Sequence, residues 1–270
     1  MAFGQHLFHV LILVCAIVAP TYAAETASTD ADGVVTWAPA APGAHLTGDY
    51  KPTRWGMYDV EAQLETPSAG KLKLVVTGKE LNGASDGSAA SVKLGRIYVE
   101  KTDVQPVSID TEPADPAKPL VVKSLVLTPA PEGKPILQSD DLSITLHAHD
   151  ATVHGVSLRY EVKPEKNTLG FWSNPKDWVS WDFEVKKPGK YIVFVMYGSG
   201  GGKDIEIGVA NQGLNFTTKD TGGYHTFTFF EAGRVNFENS GMQTLTVKPS
   251  AKTGGGVMDL RQIILLPVLK

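Results

Sequence analysis

Between positions 58 and 65 the chain alternates apolar and polar side chains without a break: Tyr58, Val60, Ala62 and Leu64 are interleaved with Asp59, Glu61, Gln63 and Glu65. Successive side chains of a strand point to opposite faces, so this run has one face to bury and one acidic face to hydrate. The pattern returns in Val179, Trp181, Phe183 and Val185 against Ser180, Asp182 and Glu184. Tyr191 to Tyr197 is apolar on both faces and reads as a central, covered strand. Pro188-Gly189, Gly198 to Gly202 and Gly222-Gly223 punctuate these runs, and the longest glycine run reads as a flexible loop between strands. No helical stripe of any length lies between them. Short strands with frequent turns predict an all-β chain built of sandwiches.

A shift of 138 residues lays Leu94-Gly95-Arg96-Ile97-Tyr98-Val99 on Ala232-Gly233-Arg234-Val235-Asn236-Phe237. It also pairs Gln105 with Gln243, Val107 and Ile109 with Leu245 and Val247, Lys123 with Arg261, and Pro129 with Pro267. Upstream, Trp55 to Glu61 matches Trp178 to Glu184 at a shift of 123, so the first copy is expected to lack a segment around Tyr197 to Asp220. An internal repeat of this size predicts two tandem sandwich domains. They are expected at 24–130, a shortened repeat, and 142–270, joined by a stiff Pro-rich linker at 131–141.

Leu7 to Val18 is mostly apolar, ends at Pro20 and is followed by Thr21-Tyr22-Ala23, which predicts a signal peptide at 1–23 and a secreted or periplasmic protein. The n-region of this signal has no Lys or Arg, only His6, His9 and the chain amine. A lipid anchor on Cys15 is the alternative, although Val14 stands where a small residue is needed. Cys15 is the only cysteine and leaves with the signal, so stability must come from apolar burial. No later run approaches the roughly 20 apolar residues of a membrane span. With a formal net charge of −4 and scattered Lys and Arg, no basic stripe for nucleic acid is present.

The ordered strings Leu158-Arg159-Tyr160-Glu161, Thr168-Leu169-Gly170-Phe171-Trp172 and Asp177-Trp178-Val179-Ser180-Trp181-Asp182-Phe183-Glu184-Val185 resemble the C-terminal domain of bacterial α-L-fucosidases and sulfatases. Pro188-Gly189-Lys190-Tyr191, Asp220-Thr221-Gly222-Gly223-Tyr224, Leu245 to Pro249 and Val257 to Arg261 extend the resemblance over roughly residues 142–270. That domain is similar to carbohydrate-binding modules of families six and thirty-five, which are galactose-binding-like jelly rolls. The first half resembles them only through the repeat.

The resemblance implies a polysaccharide or glycan ligand stacked between two loop aromatics, Phe171 or Trp172 on one side and Tyr224 on the other, with Asn174 or His225 holding ring hydroxyls. A pyranose presents a C–H face that packs on an aromatic face, which is why such sites need those residues. The alternative is that these aromatics wedge and cover the sandwich edge. Met258 stands where the modules place an Asn before the C-terminal Asp. Their calcium acids fall at Leu146-His147-Ala148-His149-Asp150, so no metal or other cofactor is expected, although Asp259 remains. His147 and His149 share a strand face, which suits zinc or, as the alternative, surface packing. Alternation places Trp178 on a polar face, so it is expected to be structural, under a loop, with Trp55 as its repeat partner.

No Gly-x-Ser-x-Gly elbow, His-Glu-x-x-His, phosphate loop or cysteine nucleophile occurs. Asp177 and Asp182 are the nearest approach to a glycosidase carboxylate pair, yet they flank one scaffold strand, and Arg54 stands opposite Asp177 in the first copy. The chain is therefore expected not to be an enzyme. Two classes remain open: a non-catalytic glycan-binding protein, and a structural or protein-interaction module of the cell envelope.

Overall fold

The computed structural model describes residues 26–250 and 255–268, so the expected signal peptide, Cys15 included, lies outside the described residues. The first part of the chain forms β1 (Thr26–Thr29), β2 (Val35–Ala38), β3 (His45–Tyr50), β4 (Gly56–Leu64), β5 (Ala69–Val76), β6 (Lys79–Asp86), β7 (Ser91–Val99), β8 (Gln105–Pro113) and β9 (Val122–Pro129). The second forms β10 (Ile136–Leu137), β11 (Ile144–His147), a single 3-10 turn (Ala148–Asp150), β12 (Thr152–His154), β13 (Arg159–Glu161), β14 (Thr168–Gly170) and β15 (Trp178–Val185). It continues through β16 (Gly189–Gly200), β17 (Asp204–Val209), β18 (Gln212–Thr217), β19 (Asp220–Phe237), β20 (Gly241–Pro249) and β21 (Asp259–Pro267). The fold is all-β.

Sheets ordered β1-β2-β9-β4-β7 and β3-β8-β5-β6 make the first sandwich. Sheets ordered β10-β15-β20-β17-β18, with β12 on β15, and β13-β14-β21-β16-β19, with β11 on β21, make the second. Each sandwich has its own apolar core, and the alternation sets what enters it. Tyr58, Val60, Ala62 and Leu64 are at most 4% exposed, and Val179, Trp181, Phe183 and Val185 are fully buried. Burying one such side chain stabilises by about 1.5–3 kcal/mol. The Trp181 indole N–H donates to His147 O at 2.7 Å, so its one polar atom is not left bare. Strand β16 is central, between β21 and β19. Tyr191, Val193, Val195 and Tyr197 face the core, while Ile192, Phe194 and Met196 are only half-buried on the outer face.

The register corrects part of the sequence reading. Across the second sheet, Leu46, Ile109, Leu74 and Leu81 stand side by side. Across its counterpart, Val179, Val247, Ile207 and Leu214 do the same. Tyr58 lies between Ile97 and Pro129, as Tyr191 lies between Val235 and Pro267. The shift is thus 133 residues for β3 to β6 and 138 for β7 to β9. Strand β4 corresponds to β16 and not to β15, so Trp55 and Trp178 are not equivalents. The first sandwich has its own β5–β6 hairpin where a segment was expected to be missing. The match that suggested otherwise rests on alternation, which any half-buried strand shares.

Two further boundaries move. The second sandwich begins inside the expected linker, because Ile136 pairs with Phe183 in parallel and the 4% exposed Gln138 ties the strand end down. The Gln138 amide donates to Leu142 O and Tyr191 Oη and accepts from Lys186 N and Lys187 N. Gly198 to Gly200 is the end of β16, not a loop.

The two sandwiches meet directly. Arg54 Nη2 donates to Val153 O (3.2 Å), Trp55 Nε1 to Tyr160 O (3.0 Å) and Arg96 Nη1 to Pro131 O (3.4 Å). Trp178 Nε1 donates to Asp32 Oδ1 (3.2 Å), its ring stacks on His154 at 3.6 Å, and Lys248 lies over it at 4.4 Å. The loop under which Trp178 lies is therefore the β1–β2 turn of the other sandwich.

Candidate functional site

The end of the second sandwich where β13, β14, the start of β19 and the start of β21 converge carries the residues that the sequence singled out. Gly198 lies against the Tyr224 carbonyl: a Cβ there would stand 2.2 Å from the oxygen, so only glycine lets β19 start this close to β16. Tyr224 is held at this crossing. Its hydroxyl donates to Gly256 O at 3.0 Å, and the residue is 39% exposed. His225 projects beside it, with a side chain 68% exposed and Nε2 4.0 Å from Asp259 Oδ2.

Asp259 is 7% exposed. Burial chiefly, then the like charge of Glu161, pushes its carboxyl up to about 6, while Lys166 and His225 act the other way. Glu161 accepts from Lys166 Nζ at 2.7 Å, and Gly170 leaves room for it, since a Cβ there would stand 2.1 Å from Glu161 Oε1. The end thus offers a pinned phenol ring, an imidazole and a carboxyl raised to about 6, which together can accept or donate hydrogen bonds to a hydroxylated ligand.

Two of the other expected contacts, Trp172 and Asn174, are spent inside the protein. Trp172 is 2% exposed and its indole N–H donates to Asp177 O at 2.9 Å, so it offers no face to a ligand and leaves the stacking pair. Asn174 donates to Asp177 Oδ1 and accepts from Lys176 N, which makes it a turn residue and not a hydroxyl contact. Phe171 is 51% exposed, at φ 57°, and stands edge-on to Trp55 at 5.4 Å.

Asp177 is fully buried and its carboxylate accepts from Val156 N, Ser157 N, Leu158 N and Asn174 Nδ2. Asp182 is exposed and accepts from Thr244 Oγ1, so the two acids do not face one another across a ligand. The His147 and His149 rings stack at 5.3 Å, and His149 contacts Asp150 at 3.1 Å. Among the described residues no group of three or more His, Cys, Asp or Glu is placed to hold a metal ion. Lys166 went unremarked in the sequence. Its signal was only a charge in a turn five residues from Glu161.

Residues 158–267 match the model of a family described as a domain of unknown function, DUF5077. No curated protein matches the chain. Similar solved structures include the Podospora anserina GH26-CBM35 β-(1,4)-mannanase (18% identity, 47% of this chain, 28% of that chain, TM-score 0.39). A family 35 carbohydrate binding module from Clostridium thermocellum is similar at 14% identity over 45% of this chain and 97% of that one, with a TM-score of 0.39. The carbohydrate binding module of Cellvibrio mixtus lichenase 5A, in complex with cellotriose, is similar at 20% identity, 46% and 97% coverage, and a TM-score of 0.38. The match spans little more than a quarter of the mannanase's length.

Proposed function

We propose that this chain is an exported, non-catalytic binding protein that holds a polysaccharide or glycan at the Tyr224 end of its second sandwich. The observation that carries the reading is the Tyr224 ring, exposed yet fixed through its hydroxyl to Gly256 O. A ring already ordered loses little entropy on binding, and its face suits the C–H face of a pyranose. His225 and Asp259 stand beside it as polar partners for ring hydroxyls. The strings that resemble the accessory domain of bacterial fucosidases and sulfatases support the ligand class. The apolar stretch Leu7 to Val18 supports export to the periplasm or outside the cell.

The second reading, a structural or protein-interaction module of the envelope without sugar binding, is favoured by the engagement of Trp172 and Asn174 within the protein. Isothermal titration of the full chain with plant, algal and host-type polysaccharides separates the two. Binding that Tyr224→Ala weakens by about 1–3 kcal/mol, with the unfolding midpoint unchanged, is the expected result. No binding at millimolar sugar would leave the structural reading in possession.

A further inference from the structure

We infer that the seam between the two sandwiches is an anion site, in which Arg159, packed against Trp55 of the first sandwich and Phe171 of the second, takes a carboxylate or sulfate group on its unpartnered Nη groups. The inference does not rest on sugar stacking at Tyr224.

The geometry begins with three planar groups. The Arg159 guanidinium lies 4.3 Å from the Trp55 ring centre and 4.7 Å from that of Phe171, and the two rings meet edge to face at 5.4 Å. Trp55 is itself fixed by its indole N–H on Tyr160 O, so the first sandwich supplies one wall of the arrangement. A guanidinium held over aromatic rings keeps its N–H groups as a fork that can grip a carboxylate or sulfate in two parallel hydrogen bonds. Of these groups, Nε donates to Ser157 O at 2.9 Å, and the Nη groups have no partner among the described residues. Phe171 keeps 51% of its surface exposed beside it, in a left-handed backbone conformation that a bulky residue adopts only when its surroundings impose it.

A second observation points to the same charge. Arg54 enters the seam 2% exposed, with Nη2 on Val153 O, its guanidinium 5.1 Å from the Tyr58 ring centre, and Nε without a partner. No carboxylate among the described residues lies within 4.0 Å of either arginine. The two are near enough that Arg54, after burial, lowers the Arg159 pKa, while Tyr58, Glu161 and Asp177 act the other way from beyond contact distance. The surrounding acids are committed elsewhere. Asp177 spends its oxygens on four N–H donors, Glu161 is paired with Lys166, and burial pushes Glu132 up to about 7, so near neutrality it is only partly ionised. Two cations with no anion in contact leave a seam that favours an incoming negative group.

The test is titration of the full chain with sodium sulfate, with galacturonate and with polygalacturonate, each against galactose and sodium chloride at matched ionic strength, because exposed charges are screened by salt. The readouts are heat of binding and the indole N–H resonance of Trp55. The expected result is that an anion binds and moves the Trp55 resonance, while galactose and chloride do not. Arg159→Lys, which keeps the charge and loses the fork, should bind about tenfold more weakly or worse. Preference for the polymer over the monomer identifies a uronic acid chain as the source, and preference for sulfate identifies a sulfate group. The inference is overturned if no anion moves the Trp55 resonance, or if Arg159→Lys binds as the parent does. If Arg159→Lys does not fold, the wild-type resonance alone decides.

Discussion

Replacing Asp177 by Ala should cost the second sandwich more than any surface change. The carboxylate is fully buried and receives four hydrogen bonds, from Val156 N at 3.2 Å and from Ser157 N, Leu158 N and Asn174 Nδ2 at 2.8 Å each. Gly155 approaches so closely, with a built Cβ 2.3 Å from Asp177 Oδ1, that the loop is moulded onto the acid. A hydrogen bond to a charged group is worth about 1.5–3 kcal/mol, but four on one group are not additive. Removing the acceptor strands three backbone N–H groups at once, and about 3–5 kcal/mol is the expected loss. At roughly 2–4 °C per kcal/mol for a chain of this size, the midpoint should fall by about 6–20 °C. Asp177→Asn keeps the shape but turns an N–H₂ toward donors, so it should fall between the parent and Ala. Urea unfolding followed by tryptophan fluorescence measures this, since Trp172 and Trp178 flank the site. A loss below about 1 kcal/mol for Asp177→Ala would refute the claim that one carboxylate organises residues 155 to 158.

Stability should also depend on pH through two acids that desolvation shifts, the buried Asp259 and the half-buried Glu132. The Asp259 and Glu132 carboxyls titrate near 6 and near 7 in the folded chain, above their unfolded values, so the native state binds protons first. Stability should therefore rise as pH falls from above 7 toward 4, by up to about 3 kcal/mol from Asp259, and Asp259→Asn should flatten its share. An unchanged slope in urea midpoints between pH 7 and 5 would contradict this. Gly198→Ala drives a Cβ onto the Tyr224 carbonyl and should cost about 1–3 kcal/mol while weakening any ligand held by Tyr224; a titration and an unfolding curve on the same preparation check both.

The strands were legible because their period is fixed by backbone geometry. Tyr58 to Leu64 and Val179 to Val185 enter the cores as alternation demands. The same generality misled the match of Trp55 with Trp178, since alternation of apolar and acidic residues says nothing about which strand is which. Trp172 was illegible for the opposite reason. It lies in the irregular stretch between β14 and β15, where no period fixes side-chain direction, and burial there depends on an acceptor, Asp177 O, offered by the loop itself. Tyr224 and His225 follow Thr221-Gly222-Gly223, which the sequence reads as a turn and which lies inside β19. The seam escaped altogether, because its hydrogen bonds join residues 35 to 146 apart, and no local pattern encodes such pairs.

At three of the hydrogen bonds that bridge the two parts of the chain, side chains of the first sandwich, Arg54, Trp55 and Arg96, reach main-chain carbonyls of Val153, Tyr160 and Pro131. A carbonyl is supplied by every residue type, so the accepting positions can change identity and keep the bond, whereas the donating positions cannot. The mutational burden of these three bonds is therefore one-sided. A scan of the junction should find tolerance at 153 and 160 for side chains of similar bulk and intolerance at 54 and 55. A foreign sandwich of the same backbone could inherit these three acceptors, but not the Trp178 indole that reaches back to Asp32.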